Sequence, residues 1–377
     1  MFYFDKPKVF VAAWGAFVLA FVPGAGAEMP PSVIAFGSCA KQDRPQPVWD
    51  AVRAADPDLF VLLGDNIYGD TEDMEVLRAK YAQFAEVPGF AALRESVPVI
   101  GTWDDHDYGK NDAGREFGPK RESQEAFWDF FGEPADSPQR AQEGVYRTVN
   151  YGGDGDPVVQ VILLDTRYFR SPLRKVPDDE RAANRGPYAP NTDPLATVLG
   201  EAQWEWLKGE LEKPADLRII GTSIQAIPAE AGYEKWENFP AERARLFGLI
   251  RQTAAKRVVL LSGDRHLAEI SCLPADQAHG VGYPLYEVTS SSLNSPFGGS
   301  PDEPNRYRIA SDGPVRVVNF GVLQIDDWEA ESPVLTMQVR GVDGEVLAEY
   351  SVELAELGAP EAPEAPEAPE APAIDRR

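Results

Sequence analysis

Histidine and cysteine are nearly absent from this chain, with three of the first and two of the second in 377 residues. Two cysteines, Cys39 and Cys272, allow one disulfide and no more, and in an oxidising compartment that pairing is the default reading. Positive charge is also short: 36 Lys and Arg face 61 Asp and Glu, for a net charge of −25. Nucleic acid and anionic membrane would both repel such a chain, so neither is a partner reached by electrostatics alone, and no nucleic-acid-binding domain is expected. Long apolar runs are missing too. The one that comes near, Val9 to Val22, is shorter than the roughly 20 residues that a spanning helix needs.

Lys6 and Lys8 precede that run and Ala25-Gly26-Ala27 follows it, the small residues that signal peptidase prefers. Residues 1–27 therefore read as a secretory signal cut after Ala27, with a retained anchor as the competing reading. The expected location is periplasmic or secreted, with no stable membrane span after cleavage. From Ala359 to Ala373 the chain repeats Ala-Pro-Glu, which offers no apolar face, and residues 358–377 are expected to form an extended, disordered tail. The intervening stretch, 28–357, is about 330 residues without an internal linker and is expected to be one domain.

Six apolar runs share one design: "SVIAFGSC" (32–39), "LFVLLGDN" (59–66), "VPVIGTWDDHD" (97–107), "VQVILLDTR" (159–167), "LRIIGTSIQ" (217–225) and "RVVLLSGDRH" (257–266). Each is rich in Val, Ile and Leu, as a strand buried on both faces should be, and each ends in polar residues. Helical patterns over Glu72–Ser96, with a break near Pro88-Gly89, over Glu201–Glu212 and over Ala241–Lys256 separate several of them. Strands alternating with helices imply crossovers and parallel pairing, which lines the polar ends along the edge where ligands bind in open α/β sheets. From about Leu267 strands follow without long helices, and Asp343-Gly344 reads as a hairpin turn. The fold class is therefore α/β, with two sheets packed face to face.

Convergence of the six ends would gather Cys39, Asp65, Asn66, Tyr68, Asp104, Asp105, His106, Asp107, Asn111, Asp165, Arg167, Gln225, Asp264 and His266. Crowded carboxylates repel and raise one another's pKa unless a positive charge sits among them. Oxygen ligands suit hard cations, whereas a thiolate and an imidazole suit a transition metal, so a mixed pair of ions is the economical reading. Either histidine alone is more often structural. Together, at matching strand ends and each close behind an aspartate, His106 and His266 read as site residues.

Gly37-Ser38-Cys39, Gly64-Asp65-Asn66-Ile67-Tyr68, Trp103-Asp104-Asp105-His106-Asp107 and Gly263-Asp264-Arg265-His266, in this order, resemble the motif set of the PhoD-type alkaline phosphatases, within the calcineurin-like metallophosphoesterases. The resemblance runs from about Ile34 to Ile325 and implies a four-layer β-sandwich flanked by helices. It implies that Asp65 bridges two metals and that Cys39, Tyr68 and His266 complete the ligands of a ferric ion (Fe3+). Asp105 and Asp264 would hold the second ion, expected to be calcium (Ca2+), with zinc, manganese or magnesium as alternatives. Anionic phenolate, thiolate and carboxylate donors favour trivalent iron, and oxygen donors favour calcium.

In that scheme a metal-activated hydroxide attacks phosphorus and His106 acts as the acid that protonates the leaving alkoxide. Lys110, Arg167 and Arg265 are candidates to grip phosphate oxygens. Asn66, Asp104, Asp107, Asn111 and Gln225 are candidates for further metal contact or for orienting the ligands. Trp236, Phe239 and the Phe169–Pro172 loop are candidates to line the leaving-group pocket. Continuing Leu267–Leu273 as a strand puts Cys272 about 20 Å from His266, which disfavours a disulfide to a Cys39 that shares a metal with His266.

The chain departs from the pattern in three places. "GTSIQA" carries Ser223 or Gln225 where the superfamily has a histidine, the leader lacks an arginine pair, and the first strand follows closely on the leader. The chain is thus expected to be a short form without the extra N-terminal domain. The expected function is an exported phosphoester hydrolase, a phosphatase or phosphodiesterase acting on a small-molecule or lipid phosphate ester. The alternative is a non-catalytic, calcium-stabilised extracytoplasmic binding protein, for which His106, Cys39 and Tyr68 would have no use. A serine hydrolase built on Ser38 or Ser290–Ser292 lacks the Gly-x-Ser-x-Gly elbow.

Overall fold

A computed structural model describes residues 29–358 apart from 185, 231, 278, 279 and 298–302. The leader at 1–27 and the Ala-Pro-Glu repeat lie outside the described residues. The strands, in chain order, are β1 (Val33–Gly37), β2 (Leu59–Leu63), β3 (Val99–Thr102), β4 (Arg147–Tyr151), β5 (Val159–Leu163), β6 (Arg174–Lys175), β7 (Tyr188–Ala189), β8 (Leu217–Gly221), β9 (Val258–Ser262), β10 (Ala268–Leu273), β11 (Leu285–Ser290), β12 (Arg308–Ile309), β13 (Asn319–Ile325), β14 (Val334–Gly341) and β15 (Val346–Glu353).

Two mixed sheets carry the fold, in the orders β15-β14-β13-β1-β2-β3 and β12-β10-β11-β9-β8-β5-β4, while β6 and β7 pair by themselves. The six apolar runs divide equally. Strands β1, β2 and β3 run parallel in the first sheet, and β5, β8 and β9 run parallel in the second. The later strands do not make a layer of their own. Strand β13 pairs antiparallel with β1 and extends the first sheet through β14 and β15. Strand β11 instead joins the second sheet, parallel to β9 and antiparallel to β10. Period-two patterning identifies a strand but does not name its neighbour, so this division had no signature in the sequence.

Alternation along β1 explains the layering. Ile34 and Phe36 face a core that holds Val161, Leu163, Ile219 and Leu261 of the other sheet. Ala35, with Phe60 and Leu62 of β2, faces outward into a second core shared with Trp49, Leu77, Phe84, Phe90 and Phe127. Those aromatics belong to helices Val48–Ala54, Met74–Ala85, Pro88–Arg94 and Lys120–Phe131, which cover the first sheet. Helices Gly200–Leu211 and Pro240–Gln252 cover the second through Trp204, Leu207, Leu246 and Ile250. The result is helix, sheet, sheet, helix.

The helical pattern over 72–96 is two helices. Asp73 caps the first, accepting the Glu75 N–H at 2.9 Å, and Pro88 opens the second where its missing N–H is not needed. Cys39 and Cys272 are both free thiols. Among the described residues no helix is long and apolar enough to cross a membrane.

Candidate active site and metal centre

The site is built where strands stop. Cys39 follows β1, Asp65 follows β2, and Asp264 and His266 follow β9; all four hold left-handed backbone, with φ of 61°, 51°, 66° and 53°. Non-glycine residues keep such φ values only where the surroundings impose them, at about 1–3 kcal/mol each. Gly64 makes one of these turns at φ 99°, and a Cβ there would lie 2.5 Å from the Asp104 Cβ and 2.7 Å from its backbone nitrogen. No larger residue fits between β2 and the Asp104 turn.

Cys39, Asp65 and His266 place one ligand atom each within 4.8 Å of one another. The Cys39 thiol lies 3.4 Å from Asp65 Oδ2, and the Tyr68 hydroxyl lies 3.3 Å from His266 Nε2. His266 is aimed by its surroundings: its backbone N–H donates to Ser291 Oγ at 2.8 Å, and Nδ1 donates to the Ser295 carbonyl oxygen. Nε2 is thereby left to the cluster, the arrangement in which a metal-binding imidazole is usually held.

Asp65 also belongs to a second group of the same closeness, with Asp105 and His106, and Asp105 belongs to a third with Asp112 and Glu234. Asp105 Oδ2 accepts the Asp112 N–H at 2.6 Å. Asp105 Oδ1, Asp104 Oδ2 and Asn66 Oδ1 are buried without a partner among the described residues. Three orphaned oxygens beside a carboxylate cluster supply part of the oxygen donor set that a hard cation takes, and the thiol, phenol and imidazole on the other side of Asp65 suit a softer or trivalent one. The residues present therefore fit a pair of metal ions.

The remaining candidates take unequal positions. Asp107 organises the turn, accepting the Asp104 and Asp65 N–H groups at 2.6 and 3.2 Å and the Asn66 side-chain amide at 2.5 Å. Asp104 accepts from Arg167 Nε at 2.5 Å, and Arg167, fully buried, also pairs with Glu234 at 2.8 Å. Asp165 accepts the Arg167 and Tyr168 N–H groups at 2.8 and 2.9 Å and shapes that loop. Gln225 donates to Glu269 at 2.8 Å and Thr289 at 3.0 Å, within a separate buried network. Asn111 is exposed and bonds Asp112 at 2.6 Å. Lys110 is exposed. Arg265 pairs with Glu303 at 2.6 Å and lies 4.2 Å over the Tyr233 ring.

The expected leaving-group aromatics are corrected: Trp236 and Phe239 lie in the core, and the Phe169 loop turns inward through Arg170, which pairs with Glu234 at 3.0 Å. Large aromatic surfaces gain most from burial, and nothing in the sequence placed these on a rim.

Charge dominates the pocket. Burial and then Asp105, Asp104, Asp107 and Asp264 push the Asp65 carboxyl well above the usual range. Burial and then Asp104 do the same to Asp264. Burial and then Asp65 raise the Cys39 thiol, and burial and then the Cys39 thiol raise Tyr68. Burial works against a charge on His106, but the bond to Asp70 and the nearby carboxylates outweigh it and lift its pKa to about 9. Burial lowers His266 to about 4, leaving it neutral. A cation among these groups would relieve the strain that each now places on the next.

Asp70, Asp112, Glu234 and Ser295 were not among the sequence candidates, and Ser291 was weighed there only as a nucleophile. They stand on irregular segments, where no periodicity assigns a direction to a side chain; the nearest signal was the run of acids around His106.

The profile of the PhoD-like phosphatase family matches residues 34–315. Alkaline phosphatase D of Bacillus subtilis (strain 168) is 26% identical over 319 residues, which take in 72% of this chain and 50% of that protein. The chain thus spans about half the length of this curated relative. A solved structure of PhoD superposes with a TM-score of 0.62 at 18% identity, covering 88% of this chain and 73% of that one. A Plasmodium structure, described as the anchor in the inner membrane complex, gives 0.51 at 13% identity, covering 86% and 89%. At these identities the two structures speak for the fold alone, and both give the same layered architecture.

Proposed function

The chain belongs to the PhoD-like phosphatase family, and on that premise we propose that it is an exported, metal-dependent hydrolase of small-molecule or lipid phosphate esters. The observation that carries the reading is the position of Asp65, common to a thiol-imidazole group on one side and a carboxylate-imidazole group on the other. A carboxylate common to both groups would serve two adjacent ions.

Cys39, Asp65, Tyr68 and His266 would hold a ferric ion, and Asp65, Asp105 and Asp264 a calcium ion. Bound there, the pair would supply an activated water for in-line attack and offset charge on the phosphoryl oxygens. The chain's own residues do the rest. His106, hydrogen-bonded through Nδ1 to Asp70 at 2.8 Å, keeps a proton on Nε2 for the departing alkoxide. Asp107 fixes the turn that carries Asp105 and His106. Arg167 supports Asp104 and Glu234 from behind, acting as a positioning residue, while Lys110 is free to meet phosphate at the surface.

Metal analysis with visible spectroscopy on purified protein tests the assignment, together with hydrolysis of an aryl phosphate and its bis-ester. A coloured, iron-containing protein that loses its band in the Tyr68→Phe, Cys39→Ser double variant is expected. A colourless protein holding only zinc would overturn the iron assignment. Undiminished turnover of both esters by Asp65→Asn would overturn the site as a whole.

A further inference from the structure

At the ligand cluster Tyr68, His106, Asp264, Arg265 and His266 remain partly exposed, and so does Lys41 beside Tyr68. Two of these, besides His106, are cations. Arg265 is committed to Glu303 and to the Tyr233 ring. Lys41 has no carboxylate partner among the described residues, in a chain of net charge −25. Its ammonium instead stands 4.4 Å from the centroid of the Tyr68 ring, whose hydroxyl reaches His266.

The backbone under Lys41 is held firmly. Its N–H donates to Asn294 Oδ1 at 2.7 Å, the Asn294 side-chain amide donates back to its carbonyl at 2.8 Å, and Gln46 adds a third bond at 3.1 Å. The next residue, Gln42, accepts the Tyr68 N–H at 2.9 Å, which ties this segment to the one carrying the phenol. Only the side chain of Lys41 is left to move, on a fixed base beside the ligand cluster.

We propose that Lys41 is a substrate-contacting residue whose ammonium receives an anionic phosphoryl oxygen of the bound ester, so that a dianionic monoester is preferred to a monoanionic diester. The inference rests on the phosphoester-hydrolase reading. A monoester brings one more negative oxygen than a diester, and a compact ammonium with three donors suits that added charge. The two arginines at the site are held by carboxylates and are poorly placed to answer it.

The test uses the full chain as purified with its metals, as wild type, Lys41→Met and Lys41→Arg, with thermal melts to verify folding. KM and kcat are measured on an aryl phosphate and on its bis-ester, and inorganic phosphate is titrated by calorimetry. Lys41→Met should raise KM for the monoester about tenfold, the size expected for one lost charge-assisted bond, with kcat and the diester parameters within about twofold. It should weaken inorganic phosphate by a similar factor, and Lys41→Arg should recover most of both. Equal losses on the two esters, or unchanged phosphate affinity, would overturn the proposal. Should the wild type hydrolyse neither ester, the hydrolase reading falls, while the phosphate titration still decides the role of Lys41.

Discussion

His106 Nδ1 lies 2.8 Å from Asp70 Oδ1, and the imidazole ring packs 4.1 Å from the Tyr68 ring. The Asp70 bond and the surrounding carboxylates raise the His106 pKa from 6.5 to about 9 despite burial. In the metal-free fold its proton is therefore present at neutral pH and lost as pH rises through about 9, and cations bound beside Asp105 would bring that loss to a lower pH. An acid role predicts that kcat/KM on an aryl phosphate falls as that proton is lost. Asp70→Asn removes the largest favourable contribution, so the alkaline limb should shift to lower pH by about one unit. An unmoved limb would separate His106 from the proton transfer.

Asp65 is the group most burdened by its neighbours. In protein stripped of metal, Asp65→Asn should melt at or above the wild-type temperature, because burial and four other aspartates disfavour a charge there and an amide carries none. With metal restored the order should reverse. Ligands that bind only the folded state stabilise it by about 2.7 kcal/mol at a hundred times Kd. Scanning calorimetry with and without a chelator reads both results, and a wild-type melt indifferent to chelation would rule out a tightly held ion.

Arg167 is a buried cation between two buried acids, Asp104 and Glu234. Removing one member of such a group leaves the others uncompensated, a loss of about 3–5 kcal/mol. Urea unfolding of metal-free Arg167→Met should show a drop in that range. A change under about 1 kcal/mol would mean that the two acids are protonated in the fold and that the pairing carries little weight.

Glu287 sits on β11, fully buried, and accepts the Ala226 and Ile227 N–H groups. Burial raises its pKa, partly offset by those bonds and by Ser262. The unfolded chain gives up this proton at lower pH than the folded one, so the group's contribution to stability declines as pH climbs past the ordinary glutamate value of about 4.3. Glu287→Gln keeps an acceptor and removes the charge. Its melting temperature relative to wild type should rise between pH 4 and pH 8, and a flat difference would refute the assignment.

The strand termini were readable because the same residues that end each apolar run also carry the chemistry: Gly37-Ser38-Cys39, Gly64-Asp65 and Gly263-Asp264 are turn and site at once. Side chains on loops were not readable. Gln225, a stand-in for an absent histidine, lies beyond the end of β8 and turns to Glu269 and Thr289, and Glu234 reaches the site from a segment with no period at all. Helix Lys120–Phe131 was missed because its polar start hid the aromatic face, Phe127 and Trp128, that it buries. Strand β4, half-exposed at a sheet edge, lacks the apolar density that marked its neighbours.

Cys39, Asp65 and Asp105 stand on the first sheet's side of the pocket, at the ends of β1, β2 and β3, whereas Asp264 and His266 stand at the end of β9 in the second. Any ion shared between these groups would act as a rivet across the seam of the sandwich. The seam itself is an apolar contact, which resists separation far better than it resists sliding. Small shear between the sheets, from a repacked leucine or valine deep in the shared core, would then show first as altered ion affinity and only later as unfolding, making the metal-binding strength of this protein a gauge of how its two halves are seated.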